Sequence, residues 1–326
     1  MTDCPHPPSQ VAPRFRARDY ITGGEFEVSR CGGCGLDLTR PQPDPSAMAA
    51  YYPPEYYGRL GARRFPALVE LGQRTLYAWR ARAVERIAGG HPGLVLDIGC
   101  GPGGLLEAFR RRGWDVQGTE LNDESAARAR QAGIPVQVGS LDSWDWPAGH
   151  FDAVTMWHVL EHWPDPRPVL RRVHQFLRPG GVFMVGVPNF GSPEARAARD
   201  GWFHLDVPRH LVHFTEASLR GALAAAGFTV RAQSSVALEF DTFSMVQSAL
   251  NRTGLKHNLL YNVLRGRHAK VMDAGSGLQV PATLLLAALL AIPALPASIL
   301  LGIAGQGSSL TVYAVREPSG TLVTSA

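Results

Sequence analysis

The run LVLDIGCGPGG, from Leu94 to Gly104, limits the fold more than any other stretch of the chain. LVLDIG reads as a buried strand. The glycines behind it let the backbone turn sharply and approach a ligand closely. Gly103 to Arg112 reads as a helix stopped at Gly113, so the loop meets a helix N-terminus with its free N–H groups and positive dipole end. Strand, glycine loop and helix in that order belong to an open α/β sheet that takes its ligand at the strand ends.

The segments that follow keep the alternation. WDVQGTE reads as a second strand, Ser125 to Gln131 as a helix, IPVQVGS as a third strand and FDAVTMW as a fourth. Pro168 to Leu177 reads as a helix and GVFMVGVP as a fifth strand. Thr215 to Ala226 is a helix closed by Gly227, FTVRAQSS a sixth strand and SLTVYAVR a last one. The expected fold is α/β: a Rossmann-like, mostly parallel seven-stranded sheet with helices on both faces. Upstream, apolar residues recur at near-helical intervals from Phe65 to Ile87, and Gly89, Gly90 and Pro92 end that helix. The domain reading is a cysteine module over 1–60, a helical lid or linker over 61–92 and the sheet core over 93–235. A basic, then apolar helical insertion follows over 236–306, and the last strand and tail over 307–326.

Gly99, Gly101 and Gly104 satisfy GxGxxG, so the glycines alone do not separate a dinucleotide from another ligand. Asp97 does, because an acid two residues before the first glycine suits a cationic amino group and suits a pyrophosphate poorly. Glu120 ends the second strand, where a carboxylate can accept hydrogen bonds from both hydroxyls of a ribose. With DIGCGPG, Glu120, FDAVTMWHVLEH from Phe151 to His162, and LRPGG from Leu177 to Gly181, the chain resembles the class I S-adenosylmethionine (SAM)-dependent methyltransferases over roughly residues 90–235. By that resemblance Asp97, Gly99, Cys100, Gly101, Gly103, Glu120, Leu121 and Trp157 belong to the SAM site, and Ser140, Leu141 and Asp142 flank the adenine. Ser140 stands where many members carry Asp, which leaves the adenine contact to backbone groups or to Asp142.

For the methyl acceptor, His158, Glu161 and His162 share one face of a turn after the fourth strand. They can act as a general base or hold the acceptor. They also resemble the ubiquinone-biosynthesis O-methyltransferases, in which an E-x-x-E-H run holds a divalent cation; here His158 takes the place of the first Glu. A second cluster, GWFHLDVPRHLVHF from Gly201 to Phe214, carries Arg209, which could bind an anionic group, and His210 and His213, either of which could be the base. An H-x-x-E-H zinc protease is excluded by the strand-loop context and the glycine loop. The expected acceptor is an oxygen of a hydrophobic, lipid-linked or glycan-type molecule, with a carbon of a sugar or polyketide as the alternative. The alternative of another class is a non-catalytic scaffold with a vestigial site, which the intact DIGCGPG run argues against.

The cysteine pair Cys31 and Cys34, spaced C-x-x-C on a glycine turn, resembles half of a zinc ribbon. Cys4 and His6 are the candidates for the other half, and any zinc there is structural. The pair followed by the tyrosine-rich stretch at 51–57 also resembles the N-terminal module of some sugar C-methyltransferases, whose large C-terminal domain has no counterpart here. The start of the chain has no signal-peptide pattern, so a reducing cytoplasm is the expected location.

No Asp, Glu, Lys or Arg occurs from Ala274 to Val315, and Pro293 and Pro296 interrupt the apolar run. Arg252, Lys256, Arg265, Arg267 and Lys270 precede it. A short helical hairpin dipping into the inner face of a membrane, and a buried helix pair covering the sheet or a homodimer interface, both fit. The formal net charge of +4 does not mark a nucleic-acid binder; a small-molecule or lipid-linked acceptor is the expected partner.

Overall fold

The computed structural model describes residues 6–52, 67–139, 143–265 and 276–317. Its main sheet has seven strands: β4 (Leu94–Ile98), β5 (Asp115–Glu120), β6 (Val136–Val138), β7 (Phe151–Trp157), β8 (Leu177–Pro188), β10 (Phe228–Ser234) and β11 (Ser309–Arg316). They lie in the order β10-β11-β8-β7-β4-β5-β6. All neighbours run parallel except β11, which is antiparallel to both β8 and β10. The dinucleotide-binding order has no such antiparallel strand between its fifth and sixth members. The expected mostly parallel seven-stranded α/β sheet is therefore present, in an order that separates it from the dinucleotide fold.

The central strands are apolar on both faces because both faces are covered. Leu96, Ile98, Val154, Met156, Phe183, Val185, Val312 and Ala314 pack under helices α4 (Pro166–Phe176) and α6 (Glu216–Ala225). Their alternates Val95, Ala153, Val182, Met184, Tyr313 and Val315 face α1 (Ala67–Ile87), α2 (Gly104–Arg110) and α3 (Asp123–Gln131). Helix starts are set by local chemistry: Asn122 caps α3, Asp165 caps α4 with Pro166 at the first position, and Thr215 and Ser218 form a reciprocal cap on α6. Helix α4 ends at Phe176, one residue before the expected Leu177, because Leu177 already pairs with Phe151 as the first residue of β8.

Residues 11–40 form three antiparallel strands, β1 (Val11–Arg18), β2 (Glu25–Cys31) and β3 (Asp37–Arg40), which the cysteine spacing gave no hint of. The fourth strand of this small sheet is β9 (Val212–His213), contributed from far along the chain: Asp37 pairs with His213 and Leu38 with Val212. Leu38 and Val212 then join the same apolar cluster as α4 and α6. The small sheet and the large one thus share a core.

Helices α5 (Pro193–Ala198), α7 (Leu238–Asn251) and α8 (Leu259–Leu264) follow the fifth and sixth parallel strands, and α9 (Ser276–Ile303) precedes β11. Neither the hairpin nor the helix pair expected from the prolines is formed. Helix α9 is one helix of 28 residues with Pro281, Pro293 and Pro296 inside it. The reason lies in its packing: it runs along α7, with Thr283, Ala294, Ser298 and Gly302 turned inward, so no break in contact accompanies the prolines.

A buried ion pair ties the loop before β9 to the end of β1. Arg209 is fully buried, as is the Asp19 side chain. Its Nη2 donates to Asp19 Oδ1 at 2.8 Å and to Asp206 Oδ1 at 2.7 Å, while Nη1 donates to the Tyr51 carbonyl at 3.1 Å. Burial pushes the Asp206 carboxyl up, but the charge and hydrogen bonds of Arg209 outweigh it and hold it down at about 2. Breaking one side of a buried pair leaves an uncompensated charge. Asp19→Ala should therefore cost about 3 kcal/mol of unfolding free energy in urea at neutral pH, with small sheet and core still unfolding together. Two separate transitions with the second unshifted would show that the small sheet is an independent unit. The Asp206 contribution should be complete above about pH 4 and disappear as pH falls through about 2.

Candidate active site

The C-terminal ends of β4, β5 and β7 converge on one edge of the sheet, where such sheets bind ligands. Asp97, in β4, is 3% exposed. Its Oδ1 accepts from Thr155 Oγ1 at 2.6 Å, from the neighbouring strand β7. Burial, reinforced by the charge of Glu120 and opposed by the Thr155 hydrogen bond, raises its pKa to about 7. Asp97 is thus a desolvated carboxyl beside a second acid.

Glu120, at the end of β5, anchors the glycine loop. Its Oε2 accepts from Gly101 N at 2.9 Å, and its Oε1 accepts from Leu121 N at 2.8 Å and Asn122 N at 2.9 Å. The glycines differ in what they permit. A Cβ on Gly99, which has φ of 71°, would sit 2.6 Å from Val159, and one on Gly103 would collide with Ile134. Gly101 also has a positive φ, yet nothing lies within 4 Å of where its Cβ would be. The loop is tight behind Gly99 and Gly103 and open in front of Gly101. Cys100 turns its side chain inward onto Gly118, and burial, with the charges of Asp97 and Glu120, raises its thiol pKa. Leu121 is 70% exposed beside Glu120. Trp157 packs on Gly186, and the buried guanidinium of Arg80, from α1, lies over its ring at 3.6 Å. Ser140, Leu141 and Asp142 lie outside the described residues.

The turn after β7 carries the second half of the site. Val159 packs against Gly99, so this turn abuts the glycine loop. His158 has φ of 53°, in the left-handed region, and its N donates to the Gly186 carbonyl at 2.9 Å. This aims its Nδ1 at Glu161 Oε1, 3.3 Å away. Glu161 is 1% exposed, and among the described residues neither carboxylate oxygen has a hydrogen-bond partner. His210 Nε2 is 3.8 Å from the same oxygen.

Two carbonyls fix the histidine tautomers. His162 Nδ1 lies 2.8 Å from the Arg209 oxygen and His210 Nδ1 lies 2.8 Å from the His204 oxygen. A carbonyl only accepts, so each Nδ1 carries the proton and each Nε2 keeps its lone pair. Burial lowers the pKa of both rings, leaving them neutral near pH 7. Glu161, His162 and His210 offer one ligand atom each, all within 4.8 Å of one another. This set could hold a divalent cation or take up a proton.

The structure therefore gathers His158, Glu161, His162 and His210 into one cluster. His213 is elsewhere: it lies in β9, with Nε2 2.9 Å from Thr39 Oγ1 and its ring beside Phe190, and burial lowers its pKa to about 3. Arg209 is committed to Asp19 and Asp206 rather than presented to an anion. His204, within the Gly201–Phe214 cluster, stacks on His158 at 5.9 Å. Two participants carry no motif of their own. Thr155 lies in an apolar strand. Tyr52 places its hydroxyl 3.2 Å from His162 Nδ1, and only its position in a tyrosine-rich stretch drew notice. In the small sheet, His6, Cys31 and Cys34 bring ligand atoms within 4.8 Å of one another; Cys4 lies outside the described residues.

A ubiquinone biosynthesis O-methyltransferase of Pseudomonas aeruginosa (strain UCBPP-PA14) is 38% identical over 102 residues, which cover 29% of this chain and 44% of that protein. One from Psychrobacter arcticus is 38% identical over 108 residues, 29% of this chain and 40% of its own length. The chain thus spans less than half the length of these curated relatives. Among solved structures, an S-adenosylmethionine-dependent methyltransferase from Mesorhizobium loti aligns over 72% of this chain and 98% of its own, with 21% identity and a TM-score of 0.43. The model of the methyltransferase domain matches residues 71–233, half of the chain, from within α1 to within β10. The chain belongs to the methyltransferase-domain family.

Proposed function

We propose that the chain transfers a methyl group from S-adenosylmethionine to a hydroxyl oxygen of an apolar, quinol-like or lipid-linked acceptor. The observation that carries the reading is Glu161: a buried carboxylate without a hydrogen-bond partner, with His158 Nδ1 and His210 Nε2 beside one of its oxygens, on a turn that packs against the glycine loop. The names of the relatives, ubiquinone biosynthesis O-methyltransferases, point to the same chemistry.

The loop suits the methyl donor. Asp97 is a dry carboxyl whose charged form gains most from a cation, as the donor's amino group is. The space before Gly101 lets a ligand reach the backbone, and Glu120, held by three amides, keeps lone pairs for hydroxyls. SAM supplies a methyl group on a sulfonium sulfur, already a strong electrophile. The residues of this chain then have two tasks, to align the acceptor and to remove its proton. Glu161 is the base in this reading, and the Nε2 lone pair of His210, 3.8 Å from Oε1, can take the proton on.

A second reading keeps the same residues with a divalent cation on Glu161, His162 and His210, favoured by the fixed tautomers that leave two Nε2 lone pairs beside a bare carboxylate. The donors His6, Cys31 and Cys34 similarly support a structural zinc ion in the small sheet.

Three outcomes are expected. Titration with S-adenosylhomocysteine should show affinity falling up to about tenfold per pH unit below pH 7 and level above it, because a proton must leave Asp97 for the ligand's ammonium to bind. In Asp97→Asn the affinity should be weak and flat with pH; a wild-type profile flat from pH 6 to 8 would remove Asp97 from this role. Glu161→Gln should lower kcat by about 10²–10⁴-fold with S-adenosylhomocysteine binding unchanged, in an assay that follows methyl ether formation on short-chain quinols and lipid-linked sugars by mass. Loss of activity to a chelator, restored by a divalent metal, would select the second reading. Elemental analysis should find equimolar zinc in the purified chain and less in Cys34→Ser; no zinc in either would leave the cysteine turn a plain β-hairpin.

A further inference from the structure

Helix α9 is built inside out for a protein in water. A surface helix turns its large apolar side chains to the core and its polar ones to solvent. Here the inward stripe is small or polar: Thr283, Ala294, Ser298 and Gly302 are buried against α7. Ser298 Oγ is 2.7 Å from Thr242 Oγ1, and α7 itself buries Asp241, Ser244, Gln247 and Ser248. Facing out are Leu285 at 63% exposure, Ile292 at 74%, Leu300 at 67% and Ile303 at 74%. Within Gln279 to Ile303 the most apolar 18-residue stretch has a mean hydropathy of 2.5, and only 11% of it is buried. Small and hydroxyl residues between helices, with large aliphatics outward, are the arrangement that suits a helix whose outer solvent is hydrocarbon.

We infer that the outward face of α9 is a docking surface for an anionic lipid bilayer, entered in the plane of the membrane. Lipid fits this face better than a second copy of the chain. Thr283 and Ser298, the two hydroxyl side chains between Pro281 and Ala304, both point inward, so the outer face offers no polar side chain. An interface between proteins has a polar rim and about one hydrogen bond per 100–200 Å². In-plane entry follows from the packing. The inward stripe from Thr283 to Gly302 is about 28 Å long and lies against the protein throughout, so lipid cannot surround the helix. The chain then enters the main sheet at Ser309, six residues after α9 ends.

Charge selects the lipid. Between Arg252 and Asp273 the sequence has five Lys or Arg and a single acid. Of these Lys256 is held at the start of α9, its N donating to Gln279 Oε1 at 2.8 Å. Basic residues beside an apolar face are drawn to anionic headgroups, each by about 1 kcal/mol near the surface. The docking surface lies outside the family-matched residues 71–233, and the inference does not depend on the transferase reading. The two meet in one consequence, that an acceptor with an apolar tail need not leave the bilayer.

Vesicle flotation of the full chain tests this, with phosphatidylcholine alone and with added phosphatidylglycerol, at low and high salt. The protein should float with the anionic vesicles, less so in high salt. The triple variant Leu285→Glu, Ile292→Glu, Leu300→Glu should lose about tenfold or more in partitioning. S-adenosylhomocysteine binding, measured in parallel, reports whether the variant is folded and is unaffected by the fate of the lipid reading. Hydrogen exchange of the wild type should show residues 281–303 protected by anionic vesicles, without any substitution. No flotation, equal flotation on neutral vesicles, or exchange unchanged over 281–303 would overturn the inference. So would a stable dimer in sedimentation that the triple variant dissolves and that vesicles do not.

Discussion

Arg209 is the constraint on which the arrangement of the molecule turns. A guanidinium with no exposed surface must have its charge answered locally, and the two carboxylates that answer it come from widely separated parts of the chain. Asp206 belongs to the same loop, whereas Asp19 follows the first strand of the small sheet. The Tyr51 carbonyl takes a third donor, and the Tyr20 ring lies 4.9 Å from the guanidinium. Arg209 in turn lends its own carbonyl to His162. The chain of dependence therefore runs from a buried ion pair, through a backbone oxygen, to the tautomer of a histidine beside Glu161. The small sheet thereby bears on the geometry of the Glu161 cluster.

The methyl-donor side is built on a different economy. Its parts are contiguous or nearly so, and each glycine is there because the backbone turns or because something lies too close for a Cβ: Val159 at Gly99, Ile134 at Gly103, Tyr77 at Gly104. The carboxylates have contrasting states. Glu120 is surrounded by amide donors, while Asp97 has one hydroxyl donor and otherwise dry surroundings. Two acids beside the same glycine loop thus have unlike surroundings, one holding the loop in shape and the other dry but for a single hydroxyl.

This contrast explains what the sequence made legible. Asp97, the glycines and Glu120 are read from short spacings, because strand, loop and helix are local. The parallel sheet follows from apolar runs at regular intervals, and His158, Glu161, His162 follow from a single turn. What was not legible depends on contacts between distant segments. Leu38 pairs with Val212, Asp19 answers Arg209, and Tyr52 reaches His162; no periodicity encodes such partners. His213 looked equivalent to His210 three residues earlier, but β9 turns it toward Thr39 and away from Glu161. The prolines of α9 suggested a bend, while the small residues that hold it straight along α7 become meaningful only with α7 beside them.

The late arrival of β9 has a consequence for how the molecule is made. Strand β3 is synthesised by residue 40, but the strand that covers its edge is not translated until residue 213. For most of the time the chain is emerging, the small sheet is three-stranded, with Asp37 and Leu38 unpaired on one side and Asp19 awaiting its cation. Closing a loop that long is entropically slow, and an open strand edge is a template for pairing with other chains. The small sheet is therefore most exposed to misassembly while its edge stands open, and it becomes safe only when the loop that carries Arg209 and β9 has been made.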